Sequence, residues 1–553
     1  MSETYRRLRD GIPETSGYGG HFLTDARKVR AWVEALPRAN MQATQQELDT
    51  ALDSLASQKL DGSSRQSVLE ELRPAVLETI ALLEQQFSAS ALPLPPARVV
   101  SASQAERLHM LLGHGYRKAA AEICAPSGNI PLLRGAVVAQ ALARSAWHYC
   151  RALALAWRIY RAPESGCWQG LHRVHRFACE LKLEGKAVED KLAKTTIELR
   201  LLYLETLLMA VANPFGFSQA EQDSLWPVAK GYAQRCGLSS QSPDENAPAV
   251  PEDADRGPGP GASDESHALW IDLRPYAEDV DSALQRQRDG YSELVPRRGF
   301  GNRLSVDVLQ RLQRAFGLAA ARSFARLQAG HNLDTVIGLS ALHFYVSGQR
   351  DFDAFMRQAV QHTVHVVDRA TWAHGGTDAI RVPRIPAKVL DQSLGGYRMA
   401  WENANQVRAR VGELVGISMA DEDEGPEWMV GVVRWLRYEQ DGGLSAGVEL
   451  MSRRARAVGL RVHGENGHVY PPMRAIEIHT IDAPRQRCFL APSTLESDTG
   501  RIEIVHDMED YMSDSGQQAD MVSRLEVMLN AGDYVLLRSP QAATADAASG
   551  ASA

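Results

Sequence analysis

Cysteine is scarce in this sequence, and its spacing excludes the usual roles of that residue. The chain has six cysteines among 553 residues, and no two of them form a CxxC pair. Structural zinc sites and dithiol redox centres need thiolates grouped at short spacing. We therefore expect no metal, no cofactor and no disulfide framework, but free thiols of the kind found in a reducing cytoplasm.

Long apolar runs are also missing. The first seven residues lack the apolar core of a secretory signal. The longest apolar stretch, residues 137–160, is interrupted by Arg144, His148, Arg151 and Arg158. Burying these side chains in lipid would cost several kcal/mol in total. The stretch therefore predicts a buried helix of a bundle, and we expect a cytoplasmic protein without a transmembrane segment.

Catalytic signatures are absent as well. The sequence has no HExxH motif, no serine elbow with histidine and acid partners, and no paired carboxylates in a recognisable context. The formal net charge of -8 argues against a dedicated nucleic-acid-binding protein, because such proteins gather basic residues to neutralise phosphates. These absences favour a protein that is not an enzyme and binds no nucleic acid.

The N-terminal half of the sequence has a helical pattern. A chain of this length is too long for one core, so several domains are expected. Residues 1–238 carry apolar side chains at helical spacing in one segment after another, as in the stripe of Val68, Leu72, Val76 and Leu83. No fixed-period repeat is evident, so we predict an all-α helical bundle or a short solenoid.

A segment rich in proline, glycine and acidic residues follows, over residues 239–267. Because this composition buries too little apolar surface to offset chain entropy, it predicts a disordered linker between mechanically separable halves. Beyond the linker, residues 268–377 show a mixed α/β pattern, in which Leu304–Leu327 is predicted to be a helix.

The remainder of the sequence is rich in short β segments separated by glycine and aspartate. These segments predict a barrel or sandwich at 378–458 and a further small β module at 459–538, with a hairpin turn at Asn530–Asp533. The Ala/Ser-rich tail, residues 539–553, is predicted to be disordered. The fold class predicted for the whole chain is therefore α+β and multidomain.

The most informative segment is Asp391-Gln392-Ser393-Leu394-Gly395-Gly396, which lies between two strand-like runs. Asp391 and Ser393 stand at i and i+2, on the same side of an extended chain. A carboxylate here could accept hydrogen bonds from guanine N–H groups, and glycine leaves room for a purine ring. The alternative is an ordinary strand–turn–strand in which Asp and Ser bond their own backbone.

The strands after this turn follow a recognisable order. Val432-Val433-Arg434-Trp435 reads as one strand, and Gly447-Val448-Glu449-Leu450 reads as the next. A DxSxxG turn followed by these two strands resembles the PilZ domain, over about Asp378–Arg456. The resemblance implies a small six-stranded β-barrel, and it implies the ligand of that family, the bacterial second messenger cyclic di-GMP.

The resemblance also implies two arginines of an RxxxR motif, just before the barrel, that hold the guanines and phosphates of the ligand. The sequence departs from that pattern, because Arg381 and Arg384 are spaced RxxR and Lys388 follows Arg384 by four residues. A literal RxxxR, from Arg322 to Arg326, lies upstream in the predicted helix, where such spacing usually marks a solvated face.

Two functional hypotheses follow. In the first, the chain is a signalling effector whose barrel binds cyclic di-GMP and whose helical half passes the signal to a protein partner, with motility or surface attachment as outputs. In the second, the chain is a PilZ-like protein-interaction scaffold that no longer binds the nucleotide. For the first hypothesis the predicted ligand-binding residues are Arg381, Arg384, Lys388, Asp391, Ser393 and Gly396.

Overall fold

The computed structural model describes residues 2–12, 22–88, 93–244, 247–259, 268–288, 290–297, 299–317, 327–360, 383–419, 427–439, 441–464, 467–495, 500–506, 519–522 and 525–539. The chain forms two compact units, Met1–Arg322 and Ser323–Ala553. Among the described helices, none combines the length and the apolar character that a membrane span requires.

Helices dominate the first unit, as predicted. They are α1 (Glu3–Arg9), α2 (Ala26–Glu34), α3 (Met41–Ser57), α4 (Gly62–Phe87), α5 (Pro96–Ile123), α6 (Gly135–Arg158), α7 (Cys167–Glu180), α8 (Leu199–Val211), α9 (Gln219–Tyr232), α10 (Arg274–Gln285) and α11 (Val306–Phe316). The stripe predicted on α4 is buried, with Val68, Leu72 and Val76 each 0% exposed. Asp61 caps α4 by accepting hydrogen bonds from the Ser63 and Ser64 amides.

A short β-hairpin interrupts the helical half, although the sequence pattern predicted only helices there. Its strands are β1 (Val188–Asp190) and β2 (Thr195–Ile197). Asp190 is buried on β1 and accepts two hydrogen bonds from Arg73, while Arg144 lies 2.7 Å from the same carboxylate. These buried charge-assisted contacts hold the hairpin on α4 and α6. Because both arginines are distant in sequence from the hairpin, the local sequence gives no signal for it.

The described residues of the predicted linker are ordered. The strands β3 (Gly237–Ser239), β4 (Ala249–Pro251) and β5 (Ala268–Asp272) form a sheet in the order β3-β5-β4. Val250 is 0% exposed. The prediction of disorder over 239–267 is therefore wrong for the described residues 247–259, because contacts distant in sequence stabilise a segment that has few apolar residues of its own.

The first unit closes with a hairpin and two helices. Its strands are β6 (Tyr291–Arg297) and β7 (Phe300–Ser305), which pair antiparallel. The helix predicted at Leu304–Leu327 is shorter: Ser305 caps α11, which ends at Phe316. Gly317, which follows, is a common residue at helix ends.

The second unit begins with a closed six-stranded barrel. Its strands are β9 (Asn332–Ile337), β10 (Ile385–Ser393), β11 (Gly396–Trp401), β12 (Leu414–Met419), β13 (Met429–Tyr438) and β14 (Leu444–Ser452). The ring closes because β9 pairs with both β12 and β10, and β10, β11, β14, β13 and β12 continue in that order. The short strand β8 (Leu327–Gln328) pairs with the outer part of β10.

A second, open sheet completes this unit. Its strands are β15 (Ala455–Gly464), β16 (Met473–His479), β17 (Arg487–Pro492), β18 (Gly500–His506), β19 (Ala519–Val522), β20 (Glu526–Asn530) and β21 (Tyr534–Arg538). Their order is β19-β18-β15-β16-β17-β21-β20, and the predicted hairpin turn joins β20 to β21. The predicted fold class, a helical N-terminal half with a C-terminal barrel and additional β structure, is confirmed.

The two sheets of the second unit share a core. The helices α12 (Leu339–Val346) and α13 (Phe352–Val360) lie between β9 and β10 in the chain. Leu342 of α12 belongs to one buried cluster with Val432 of the barrel and with Ile476 and Leu490 of the open sheet. The open sheet is therefore packed on the barrel through α12, rather than attached as an independent module.

Candidate functional site

The DxSxxG segment forms a tight hairpin between β10 and β11. Ser393 pairs with Gly396, and Leu394 and Gly395 make the two-residue turn. The Ser393 hydroxyl donates to the Gly396 carbonyl at 3.4 Å, which is the backbone role of the alternative interpretation. The Leu450 amide donates to the Gly395 carbonyl at 2.9 Å, so the turn is also fixed to the end of β14.

Gly396 is required by close approach of the neighbouring strand. A Cβ atom added at this position would lie 2.1 Å from the Val448 carbonyl oxygen and 3.1 Å from the Glu449 Cα atom. Both contacts involve backbone that the β11–β14 ladder holds in place. The glycine therefore allows the hairpin to lie close against β14.

A row of polar and aromatic residues crosses the barrel beside this hairpin. Asp391 on β10 pairs with Arg398 on β11, which pairs with Gly447 on β14, which in turn pairs with Trp435 on β13. Arg398 Nη1 lies 3.9 Å from Asp391 Oδ2, and both side chains are partly exposed. Among the described residues, Arg398 Nε has no hydrogen-bond partner.

The indole of Trp435 lies over a glycine. A Cβ atom at Gly447 would be 2.0 Å from Trp435 Nε1, so only glycine leaves room for the ring in this position. Trp435 itself is partly exposed. The result is an aromatic surface in the same row as a carboxylate and a guanidinium, which is a suitable arrangement for a planar base that carries N–H donors.

The chain enters the barrel next to the hairpin. Leu327 and Gln328 of β8 pair with Gln392 and Asp391 of β10. Leu327 is the residue that follows Arg326, the second arginine of the literal RxxxR motif. Arg322 and Arg326 lie outside the described residues. The helix predicted around them is wrong as far as the chain is described, because α11 ends at Phe316 and Leu327 is in a strand.

Arg384 lies far from the hairpin. It directly precedes β10, whereas Asp391 and Ser393 lie near the end of that strand, so the extended chain separates Arg384 from Asp391 by about 20 Å. The Arg384 guanidinium stands 4.9 Å from the ring centre of Tyr345 and 3.6 Å from Asp334. The structure therefore places Arg384 and Asp391 at opposite ends of β10.

The other predicted basic residues do not lie at the hairpin within the described part of the chain. Lys388 is exposed in mid-strand, opposite Ala400, and Arg381 lies outside the described residues. The structure thus brings together Asp391, Ser393 and Gly396, but it does not join Arg384 to them. It adds Arg398 and Trp435, which sequence reasoning did not assign to the site.

The register of a hairpin could have identified Arg398. With a two-residue turn at Leu394 and Gly395, Ser393 pairs with Gly396 and Asp391 must face Arg398. Trp435 could not be found in this way, because its place beside Arg398 depends on a second and a third strand. A bulge between Val433 and Trp435 shifts that register further.

Comparison with known proteins covers both units. A family model described as the N-terminal domain of the cyclic-di-GMP receptor FimW matches residues 27–244. A second model, described as the middle PilZ domain of the same receptor, matches residues 260–379 and 374–457. The second match includes the whole closed barrel and reaches well upstream of the segment whose sequence resembles PilZ. Neither description is that of an enzyme.

A curated relative agrees with these matches. The cyclic-di-GMP receptor FimW of Pseudomonas aeruginosa is 25% identical over 531 residues, which cover 86% of this chain and 86% of the relative. The similarity therefore extends through both units and not only through the barrel. Because the helical domain and the barrel each match a model of that receptor, in the same order along the chain, this protein is a PilZ-domain protein whose two units are similar to those of FimW.

Proposed function

We propose that this protein is a signalling effector that binds cyclic di-GMP on the outer face of its barrel, beside the β10–β11 hairpin. The observation that carries the proposal is the row of Asp391, Arg398 and Trp435 next to the DxSxxG turn. The name of the relative, a cyclic-di-GMP receptor, supports the same ligand. Binding then biases the protein toward a state that a protein partner recognises.

Each group in the row has a chemical task. The Asp391 carboxylate accepts hydrogen bonds from the N–H edge of a guanine, the contact that carboxylates make most readily with that base. The Trp435 ring offers a stacking surface for a base. Arg398, whose side chain is partly exposed, supplies a guanidinium for a phosphate or for the guanine N7/O6 edge.

We further propose that the arginines of this site are Arg322 and Arg326, rather than Arg381 and Arg384. The support is the connectivity of the chain: Arg326 directly precedes Leu327, and β8 pairs Leu327 with Gln392. The literal RxxxR spacing is thereby retained in this chain. The long insertion between β9 and β10 explains why the motif is distant in sequence from Asp391.

Calorimetric titration of the full chain with cyclic di-GMP tests the ligand. We expect saturable binding. Asp391→Ala should weaken it about tenfold or more, because a hydrogen bond to a charged group contributes about 1.5–3 kcal/mol. Trp435→Ala should have a similar effect, since base–aromatic stacking contributes about 1–3 kcal/mol.

Lys388→Ala tests whether this residue, which was predicted from the sequence to belong to the site, takes part in binding. Lys388 lies on the same strand as Asp391 but is exposed in mid-strand, so its removal should leave the affinity within about twofold. If the wild-type chain gave no heat and no thermal shift with cyclic di-GMP, the receptor proposal would be wrong and the scaffold hypothesis would take its place.

A further inference from the structure

The helical unit contains a cavity of about 350 Å³ between α6, β2, α8 and α9. Two tryptophans border it, Trp147 from α6 and Trp226 from α9. Apolar contacts come from residues such as Leu201, and hydroxyls come from Thr195 and Thr196 on β2. A concave site with aromatic walls and a few polar groups is typical of ligand-binding cavities.

One carboxylate in this cavity lacks the partners that a buried charge needs. Glu205 on α8 is partly buried, and among the described residues it makes no hydrogen bond or ion pair within 4 Å. Burial raises the pKa of Glu205 to about 7, and the Lys230 ammonium opposes that rise. A partly desolvated carboxylate of this kind is stabilised by any ligand that brings N–H donors and positive charge.

The aromatic walls favour a planar cation. The Arg73 guanidinium already lies 5.1 Å from the ring centre of Trp147, so this indole holds a guanidinium within the fold. Trp226 stacks on Trp157 at 6.0 Å and borders the cavity as well. Guanidinium groups combine stacking on aromatic rings with forked hydrogen bonds to a carboxylate.

We propose that this cavity is a docking site for an arginine side chain of a protein partner, with Glu205 as its counter-ion and Trp147 and Trp226 as its walls. The site lies wholly in the helical unit and does not depend on nucleotide binding by the barrel. The other charged groups of its lining are compatible with this occupant. Arg151 is 3.7 Å from Glu84, and Lys230 is an exposed side chain that can turn into solvent.

Saturation-transfer NMR with N-acetylarginine amide as the probe and the full chain as the receptor tests the proposal. We expect the arginine probe to bind in the millimolar range and N-acetylglutamate amide to give no transfer. Binding should tighten about tenfold from pH 6 to pH 8, as Glu205 ionises. The other titratable groups in the lining are Arg151, Lys230, the second carboxylate Glu198 and Cys150, and burial raises the pKa of the Cys150 thiol to about 12.

Glu205→Gln should weaken the arginine probe at least fivefold and remove the pH dependence, while Glu47→Gln, at an exposed position of α3, should change neither. Thr196→Arg provides a second variant at an exposed position, whose own guanidinium should occupy the cavity and block the probe. The proposal is overturned if the arginine probe does not bind the wild-type chain, if Glu205→Gln binds it equally well, or if the glutamate probe binds instead.

Discussion

At the scale of single residues, glycine at position 396 decides whether the candidate site can form. The hypothetical Cβ contact of 2.1 Å is with a backbone carbonyl, which cannot turn aside as a flexible side chain could. We expect Gly396→Ala to destabilise the barrel by about 1–3 kcal/mol, because either β11 or β14 must shift. Hydrogen exchange of the β11 and β14 amides would measure this loss.

Gly330→Ala is the control for this substitution. Gly330 lies between β8 and β9 and is exposed, and a methyl group added there would meet no atom within 4 Å. Its replacement should change the stability by less than about 0.5 kcal/mol. Equal protection of the β11 and β14 amides in Gly396→Ala and in the wild type would contradict the close-approach argument.

Glu106 gives the helical unit a pH-dependent stability. It is 9% exposed, burial raises its pKa to about 7, and it accepts a hydrogen bond from the Glu164 amide at 2.8 Å. Between the ordinary pKa of a glutamate and pH 7, Glu106 remains protonated in the folded state but is ionised in the unfolded state. This residue therefore stabilises the fold most at low pH, and its contribution is lost as pH rises through about 7.

Glu106→Gln should reveal this linkage. We expect the wild type to lose about 2 kcal/mol relative to the variant between pH 5 and pH 8, since glutamine never ionises. Urea unfolding of both proteins at the two pH values measures the difference, and Glu47→Gln, at an exposed position, serves as the reference. A wild-type-to-variant difference that is the same at pH 5 and pH 8 would show that Glu106 titrates normally.

At the scale of elements, the segment predicted to be a linker acts as a strap on α7. Asp255 accepts hydrogen bonds from the Gly166 amide at 2.5 Å and the Gln169 amide at 3.0 Å, at the start of that helix. Arg256 offers its carbonyl to His172, which is buried. The acidic residues on which the prediction of disorder was based therefore bind the start of α7 and basic side chains that are distant in sequence.

Asp255→Ala should cost about 1 kcal/mol, the usual effect of removing a cap from a helix N-terminus. The two amides bind different oxygens of the Asp255 carboxylate, so Asp255→Asn keeps one acceptor of the two and should retain only part of the stability. Thermal unfolding of the three proteins would separate these outcomes. Alanine and asparagine variants with equal, wild-type-like midpoints would mean that the strap contributes nothing to α7.

The elements that could be predicted are those whose signal is local. The stripe on α4 and the β20–β21 hairpin follow from spacing and turn residues, and both are present. The order of residues 247–259 and the β1–β2 hairpin could not be predicted, because partners distant in sequence determine both. The end of α11 does have a local signal, Gly317, although the apolar spacing predicted a longer helix. In the site, likewise, Arg398 can be predicted from the register of the hairpin, whereas the position of Trp435 depends on the strand order of the closed barrel.

At the scale of the whole molecule, the insertion of α12 and α13 between β9 and β10 explains the difficulty of assigning the arginines. The chain enters the barrel through β8 and β9, well upstream of Asp391 in the sequence. In the structure, however, β8 pairs with β10, the strand that contains Asp391. The sequence resemblance reached only the part of the barrel after this insertion. Chain connectivity therefore favours Arg326, and sequence proximity alone favoured Arg384.

The most direct measurement is a calorimetric titration of cyclic di-GMP into Arg326→Ala and Arg384→Ala, beside the wild type. We expect Arg326→Ala to weaken binding about tenfold or more, because it removes a forked arginine contact that contributes about 1–3 kcal/mol. Arg384→Ala should bind within about twofold of the wild type, because Arg384 lies at the other end of β10. The reverse result, a loss of affinity in Arg384→Ala alone, would contradict a site at the hairpin.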